Sequence, residues 1–535
     1  MNRKNALISV YNKDGIADFA RELVALGWTL YSSGGTARAI EAAGVPVQDV
    51  ASLVGGEAIL GHRVVTLSRE VHAGILARDV AEDWAELEKR GIPWLGLVCV
   101  DMYPLKQEIQ KDGSTSESII EQTDIGGPTM LRSAAKSRRI VVCDGADRPR
   151  VIEWLKAGEP SAEEFLTELA AKAEATVADY CLASATYHGQ GKYTGMVGER
   201  TLVCKYGENG YQVPAALYQA NSEDPLAIHR FQLVAGTDPS FNNLCDTERL
   251  LQTATHIAAT FDVNRGEVPL MAIAVKHGNA CGVAIGHNAI ELVREMVMGD
   301  PLAIFGGLVL LNFQVTEEVA DTLLTHGMPE GKRRLLDGII APSFDDRTIE
   351  VLRRKGDKCR LIANPALEKL NRHSLDVAPR FRYVRGGLLS QPNYTFILDL
   401  NDPELAKIGQ ATLQQENDML LAKSIGDTSN SNTIVIVRNG VLLGNGVGQQ
   451  ARVYGSQLAI TRAETSQHSP MEAVASSDSF FPETDGVEAL TQAGVKAIIS
   501  TSGSVRDKEV IKFCEERGVV LYLIPDKNGR GFFGH

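Results

Sequence analysis

The stretch ALISVYNKDGIADFARELVALGWTLYSSGGT, residues 6–36, decides the fold. Residues 6–10 form an apolar-leaning run of strand length. Ile16, Phe19, Ala20, Leu23 and Leu26 then recur at helical spacing, and Gly27 supplies the stop that ends such a helix. Residues 28–31 make a second apolar strand, followed by Ser32-Ser33-Gly34-Gly35-Thr36 and a helix that closes at Gly44. Strand, helix, strand, helix in this order predicts a parallel sheet with helices on both faces.

The pattern continues outward. Residues 95–100 and 140–143 are two further short apolar strands, and residues 162–186, rich in Ala, Glu and Leu, predict one long helix. The glycine-rich, weakly apolar segment after it reads as a linker. The expected division is a domain over 1–190, a linker over 191–200, and a mixed α/β region over 201–535 with an internal boundary near 385, at Gly386-Gly387.

A chain of 535 residues is too long for one core. Its net charge of −13 argues against a nucleic-acid or anionic-membrane surface. An anionic small substrate therefore needs locally placed Lys, Arg and backbone N–H groups. The eight cysteines include no CxxC pair, so no thiolate zinc site, and no metal site of any kind, is expected. They read as free thiols of a reducing compartment, and the expected location is the cytoplasm. The longest uncharged stretch, 301–315, is shorter than the ~18–20 residues that span a bilayer.

Six segments carry candidate chemistry. Ser33-Gly34-Gly35-Thr36 joins a strand to a helix and can cradle an anion on its backbone N–H groups, although Thr36 would serve equally as a plain helix cap. Asp124-Ile125-Gly126-Gly127-Pro128-Thr129 is followed by a helix, Met130 to Lys136; its glycines allow close backbone approach and Asp124 can accept from a sugar or ring donor. Lys205-Tyr206 sets a cation beside an aromatic ring, a weak signal for a phosphate with a stacked base. Val275-Lys276-His277-Gly278 ends an apolar strand in a cation, an imidazole and a glycine. A neighbouring ammonium favours the uncharged imidazole that a base requires. Taken alone, the pair reads more readily as a solvated loop entrance. The glycines of residues 444–448 expose N–H groups ahead of Arg452, which could reach a phosphate, or else form a simple hairpin. Ser477-Asp478-Ser479-Phe480-Phe481 could be a stacking wall, or core.

Together and in this order, these segments resemble the bifunctional purine-biosynthesis family that joins AICAR formyltransferase to IMP cyclohydrolase. Asp-Met-Tyr-Pro at 101–104 and Asp-Ile-Gly-Gly-Pro-Thr at 124–129 look like its cyclohydrolase domain. Asn-Asn-Leu-Cys-Asp at 242–246, Lys276-His277, Phe305-Gly306-Gly307 and Asp337-Gly338 look like its transformylase. The resemblance implies a methylglyoxal-synthase-like doubly wound parallel sheet at the N-terminus and cytidine-deaminase-like α/β lobes after it. It also implies a homodimer with transformylase sites built across the interface. The substrates would be AICAR, formyl-AICAR and IMP, with 10-formyltetrahydrofolate as cosubstrate and no tightly bound cofactor.

Residue by residue, the resemblance casts His277 as the base that deprotonates the AICAR amine, with Lys276 beside it and Asn432 orienting the formyl group. Lys205, Tyr206, Gly306, Asp337, Arg452 and Phe480 would hold the nucleotide, and Asp485 and Ser504 the folate. For ring closure it implies Lys136, Tyr103 and Asp124 as the catalytic group. Tyr11, Asn12, Lys13, Ser33, Gly34, Gly35, Thr36, Arg63, Thr66, Asp101, Gly126 and Gly127 would bind substrate. The chain departs from the family pattern at Val65, where a lysine is usual; valine can neither donate a hydrogen bond nor carry charge. Arg69, new at its position, is the candidate substitute. Near the C-terminus the usual Arg-x-Phe-x-His reads Gly531-Phe532-Phe533-Gly534-His535, with Arg530 one place away.

Overall fold

The computed structural model describes residues 3–56, 58–60, 63–220 and 222–533; Gly534 and His535 of the C-terminal motif lie outside the described residues. The chain divides into two compact units, Met1–Gly198 and Glu199–His535.

In the first unit the described strands are β1 (Asn5–Ser9), β2 (Thr29–Ser32), β3 (Gln48–Asp49), β4 (Leu97–Val100) and β5 (Ile140–Val142). They pair in parallel throughout, in the order β3-β2-β1-β4-β5. Leu97, Val98, Cys99 and Val100 are buried without alternation, which marks a strand covered on both faces. Chain order reverses between β1 and β4, and open α/β sheets hold ligands in the crevice at that reversal. Three helices bear on the site: α1 (Gly34–Ala42), α2 (Gly126–Lys136) and α3 (Ala162–His188). The last runs two residues past its predicted end. Strand β6 (Gly198–Cys204) begins inside the segment read as linker.

In the second unit β6 pairs with β7 (Ala215–Ala220) as a separate ribbon. A larger sheet begins with β8 (Gln232–Ala235), β9 (Leu270–Lys276), β10 (Asn279–Gly286), β11 (Leu308–Leu311), β12 (Gly338–Ala341) and β13 (Arg360–Ala363). Another ribbon, β14 (Arg380–Val384) with β15 (Gly387–Gln391), follows at the expected internal boundary. The sheet resumes with β16 (Ala406–Ile408), β17 (Ile434–Arg438), β18 (Val441–Gly446), β19 (Val474–Ser477), β20 (Ala497–Ser502) and β21 (Val520–Pro525). Among the described residues it counts 12 strands, ordered β16-β21-β20-β19-β17-β18-β10-β9-β11-β12-β13-β8. Its two halves join where β10 meets β18.

Both faces of this sheet are covered. Met271, Ile273 and Val275 of β9 enter one core, with Leu250, Ala254 and Ile257 of helix α4 (Phe241–Arg265). Ala272 and Ala274 enter the other. This is strand alternation with no solvent face. Among the described residues no helix is long and apolar enough to cross a membrane.

The loop carrying His277 is tighter than the sequence suggests. Lys276 pairs with Asn279 across β9 and β10, which leaves His277-Gly278 as a two-residue hairpin tip. Both residues have positive φ, 50° and 73°, the signature of a type I′ turn. It is a hairpin, not a strand-to-helix crossover.

Candidate functional site

A cavity of about 790 Å³ opens in the first unit where the strand order reverses. Tyr11 and Lys13 enter it after β1, Ser33, Gly34, Gly35 and Thr36 after β2, and Asp101 and Tyr103 after β4; Arg63, Thr66, Asp124, Gly126 and Gly127 complete this set of expected residues. Ser33 is the N-cap of α1 and its side chain makes no cap bond, so the first N–H groups of that helix stay open to an anion. The Thr36 hydroxyl is engaged elsewhere. It accepts from Val10 N at 3.2 Å and donates to Val10 O at 3.0 Å, tying α1 to the end of β1. It positions the cradle rather than forming it.

The carboxylates brace the loops. Asp101 accepts from the backbone N–H groups of Tyr11 and Asn12 and so spans the reversal point. Asp124 accepts from Gly127 N at 2.8 Å. A Cβ on Gly127 would lie 2.4 Å from Asp124 Oδ2, and one on Gly126 2.9 Å from Thr66 Oγ1, so this approach demands both glycines. Burial raises the pKa of Asp124 and of Asp101, against the N–H groups that favour the charge. Burial, then the charge of Asp124, raises that of Tyr103, which stays a phenol able to donate. Burial lowers that of Lys13, and the nearby Asp101 opposes the shift.

Two expected residues are not brought to this cavity. Lys136 is exposed at the far end of α2, about 15 Å of helix rise from Gly126. Asn12 turns back on its own loop, its Oδ1 accepting from Asp14 N at 2.8 Å. Val65 does line the cavity, where the family lysine would stand. Arg69 does not replace it. Its guanidinium pairs with Glu70 at 2.8 Å and is largely solvent-exposed. Two lining groups that the sequence did not single out are the guanidinium of Arg38, one turn into α1 beyond Gly35, and the imidazole of His188, which ends α3. The spacing of Arg38 from the glycines was legible; the return of α3 to the cavity was not.

In the second unit the expected residues lie along one rim of the large sheet. Lys276 and His277 stand at the end of β9, Gly306 and Asp337 ahead of β11 and β12, Asn432 ahead of β17, Arg452 beyond β18 and Phe480 beyond β19. Lys276 donates to Phe305 O at 2.9 Å and Gly306 O at 3.0 Å. An ammonium has three donors, so one is left to face a ligand. His277 is exposed, and its neighbour is pinned: Gly278 N donates to Asp246 Oδ1 at 2.8 Å. Burial raises the Asp246 pKa and that N–H opposes it.

Arg452 is engaged by side chains of the rim itself. Its guanidinium is buried and donates to Ser477 Oγ at 2.7 Å, to Asp478, and to Asn432 Oδ1 at 2.7 Å. The Asn432 amide in turn donates to Gln449 O at 2.9 Å. Arg452 thus fixes the orientation of Asn432. Asp337 is paired with Arg354 at 3.1 Å. Arg530 pairs with Asp526 and lies over the Phe480 ring, 5.8 Å from its centroid, on the same rim. Asp485 and Ser504 lie at the starts of the helices that follow β19 and β20, farther along. Lys205 and Tyr206 sit together off the sheet, 6.0 Å apart, in the loop after β6.

The family model of the AICARFT/IMPCHase bienzyme matches residues 134–462, and that of the MGS-like domain matches residues 15–129. The chain belongs to the AICARFT/IMPCHase bienzyme family. The bifunctional purine biosynthesis protein PurH of Anoxybacillus flavithermus is 36% identical over 533 residues, covering 97% of this chain and 98% of that protein. A solved structure described as "Crystal structure of ForH" aligns with 36% of this chain and 99% of its own, at 33% identity and a TM-score of 0.32. As a member of the bienzyme family, the chain is a formyltransferase and a cyclohydrolase acting in the last two steps of IMP biosynthesis, and its formyl transfer takes a folate-type cosubstrate.

Proposed function

We propose that the two reactions are divided between the two units, formyl transfer at the rim of the large sheet and ring closure in the N-terminal cavity. The observation that carries this division is the confinement of each set of family motifs to one compact unit.

At the rim, the AICAR amine is a weak nucleophile because its lone pair is delocalised into the ring. It attacks the formyl carbon of 10-formyltetrahydrofolate while His277 takes its proton. The free N–H of Lys276 meets the oxygen that becomes negative in the tetrahedral intermediate. Asn432, held by Arg452, orients the formyl group. The intermediate collapses as the carbon–nitrogen bond to tetrahydrofolate breaks and that nitrogen is protonated. In the cavity, the open N–H groups of α1, with Lys13 and Arg38, hold the phosphate. The carboxamide nitrogen of formyl-AICAR closes on the formyl carbon, and the formyl oxygen leaves as water. Its two protons come from the carboxamide nitrogen and from the formamide N–H, whose nitrogen becomes the C=N nitrogen of the new ring. Tyr103 donates to that oxygen, and Asp124 moves the amide proton. No covalent enzyme intermediate is required.

We further propose a cytoplasmic homodimer. Phe480, Asp485 and Ser504 belong to the β19–β20 end of the rim, and Asp337 lies seven strand spacings from β20. At about 5 Å per strand, that is on the order of 30 Å, too far for one bound nucleotide. A second rim supplied by a partner subunit is the natural complement. All eight cysteines are free, which suits a reducing cytoplasm.

The test is a product assay with purified protein, AICAR and 10-formyltetrahydrofolate, separating formyl-AICAR from IMP by chromatography. IMP forming faster than spontaneous closure supports both sites. Formyl-AICAR accumulating alone would leave the N-terminal cavity a binding site with a silent reaction, and Val65 the first cause to examine.

A further inference from the structure

The turn that carries His277 is held by groups that neither reaction uses. We infer that Arg249 is a positioning residue for formyl transfer, stapling the His277–Gly278 turn to the loop that presents Asn432. Arg249 is 8 % exposed, in the third turn of α4. Its Nε donates to Gly278 O at 2.8 Å and its terminal nitrogen to Asn430 Oδ1 at 3.0 Å. A second link runs beside it: Asn430 N donates to Asn279 Oδ1 at 3.1 Å. Asn279 also reaches back, its amide donating to His277 O at 3.1 Å.

Strand order shows why a staple is needed. His277 lies between β9 and β10, Asn432 precedes β17, and β18 separates β10 from β17. No ladder hydrogen bond connects the two loops directly. One guanidinium spans the gap, because its planar fork donates in two directions at fixed geometry. Asp246 and Arg249 are three residues apart on α4, hence on one face, and grip the N–H and the C=O of Gly278 respectively.

The carboxy-terminal segment locks the staple from outside. The Phe533 ring lies against the Arg249 guanidinium at 4.2 Å and against Arg380 at 3.4 Å. Phe533 N donates to Ser429 O at 3.0 Å, and Gly531 N to Asp478 O at 3.1 Å, so the segment runs along the rim from the loop after β19 to the loop that presents Asn432. Burial lowers the Arg249 pKa to about 10, which leaves it charged at neutral pH.

This inference rests on His277 being the base, and one set of full-length variants separates the two ideas. Formyl transfer is measured with AICAR and 10-formyltetrahydrofolate, giving kcat and KM. Ring closure of supplied formyl-AICAR is measured on the same preparations as an internal control. Arg249→Met is expected to lower the formyl-transfer kcat by about 100-fold, as a displacement of roughly 1 Å at a reacting group does. The KM for AICAR should stay within about threefold and ring closure should be unchanged. Arg249→Lys, which keeps the charge and can serve one of the two acceptors, should recover part of the loss. Phe533→Leu should lose kcat in the same sense, with the staple's own donors intact. If Arg249→Met does not fold, the Lys and Phe533 variants carry the test. Formyl transfer at wild-type kcat in Arg249→Met, or in both other variants, would overturn the inference. So would a matching loss of ring closure. Retention of formyl transfer by His277→Ala would instead overturn the reading of the base.

Discussion

The first unit gathers its polar groups from several loops into one cavity of about 790 Å³, whereas the second strings them along the rim of a 12-stranded sheet. The cause is topological. In a short parallel sheet whose order reverses once, the loops on both sides of the reversal empty into a single crevice. In the longer mixed sheet, successive loops are carried sideways by about 5 Å per strand, and nothing folds them back onto one another. Convergence must come from bridging side chains such as Arg452 and Arg249. The lesson is that the rim should be sensitive to loss of bridging residues that touch no substrate, whereas the cavity should be sensitive chiefly to loss of the groups that line it.

The largest test of that contrast is His277→Ala. Formyl transfer should fall by about 10²–10⁴-fold, the usual worth of a general base, while ring closure of supplied formyl-AICAR continues. A joint fall of both rates would break the division between units. Next comes Asp124→Ala in the cavity. It removes the group bonded to Gly127 N and should slow ring closure by about 10²-fold without touching formyl transfer, as followed by separate product assays. Third, Val65→Lys returns a donor to the cavity wall and should speed ring closure by about tenfold, below the 10²–10³ that a well-placed oxyanion donor is worth. Arg69→Ala, whose guanidinium lies on Glu70, should leave that rate unchanged.

A last effect, on stability rather than rate, is confined to acid pH and to the second unit. His256 is fully buried and its pKa is pushed down to about 4 by burial, against an ordinary value near 6.5. The unfolded chain therefore takes up the proton first as pH falls. The contribution is complete above pH 6.5 and is lost between 6.5 and 4, amounting to about 3 kcal/mol. Urea unfolding at neutral pH and near pH 4.5 measures it, and His256→Phe should flatten the difference.

Much of the first unit is legible in the sequence because each site loop directly follows a strand or opens a helix. The apolar run at 6–10 became Asn5–Ser9, and 140–143 became Ile140–Val142, shifts of a residue at most. Lys136 entered the expected catalytic group through the family resemblance alone; ten residues of helix rise separate it from Gly126 at the cavity. In the second unit the motif residues were found, but not their connections. Arg452 read as a phosphate ligand because nothing local to it announces Asn432 and Asp478, which are twenty or more residues away. The bond from Arg249 to Asn430 spans 181 residues of sequence and exists only because α4 packs against the β9–β10 hairpin. Such groups have no motif of their own.

The left-handed backbone of His277 has a consequence for anyone who would engineer this enzyme. A φ of 50° suits glycine and asparagine better than histidine, and holding a branched side chain there costs on the order of 1 kcal/mol. A stability-guided redesign of the hairpin would therefore choose Gly or Asn at this position and be rewarded with a sturdier turn. Under the role proposed for His277, the same choice would slow formyl transfer as His277→Ala does. Thermal robustness and turnover compete here for one residue, so improved variants of this protein should be sought in the β14–β15 ribbon or the surface helices, with the hairpin tip left as it is.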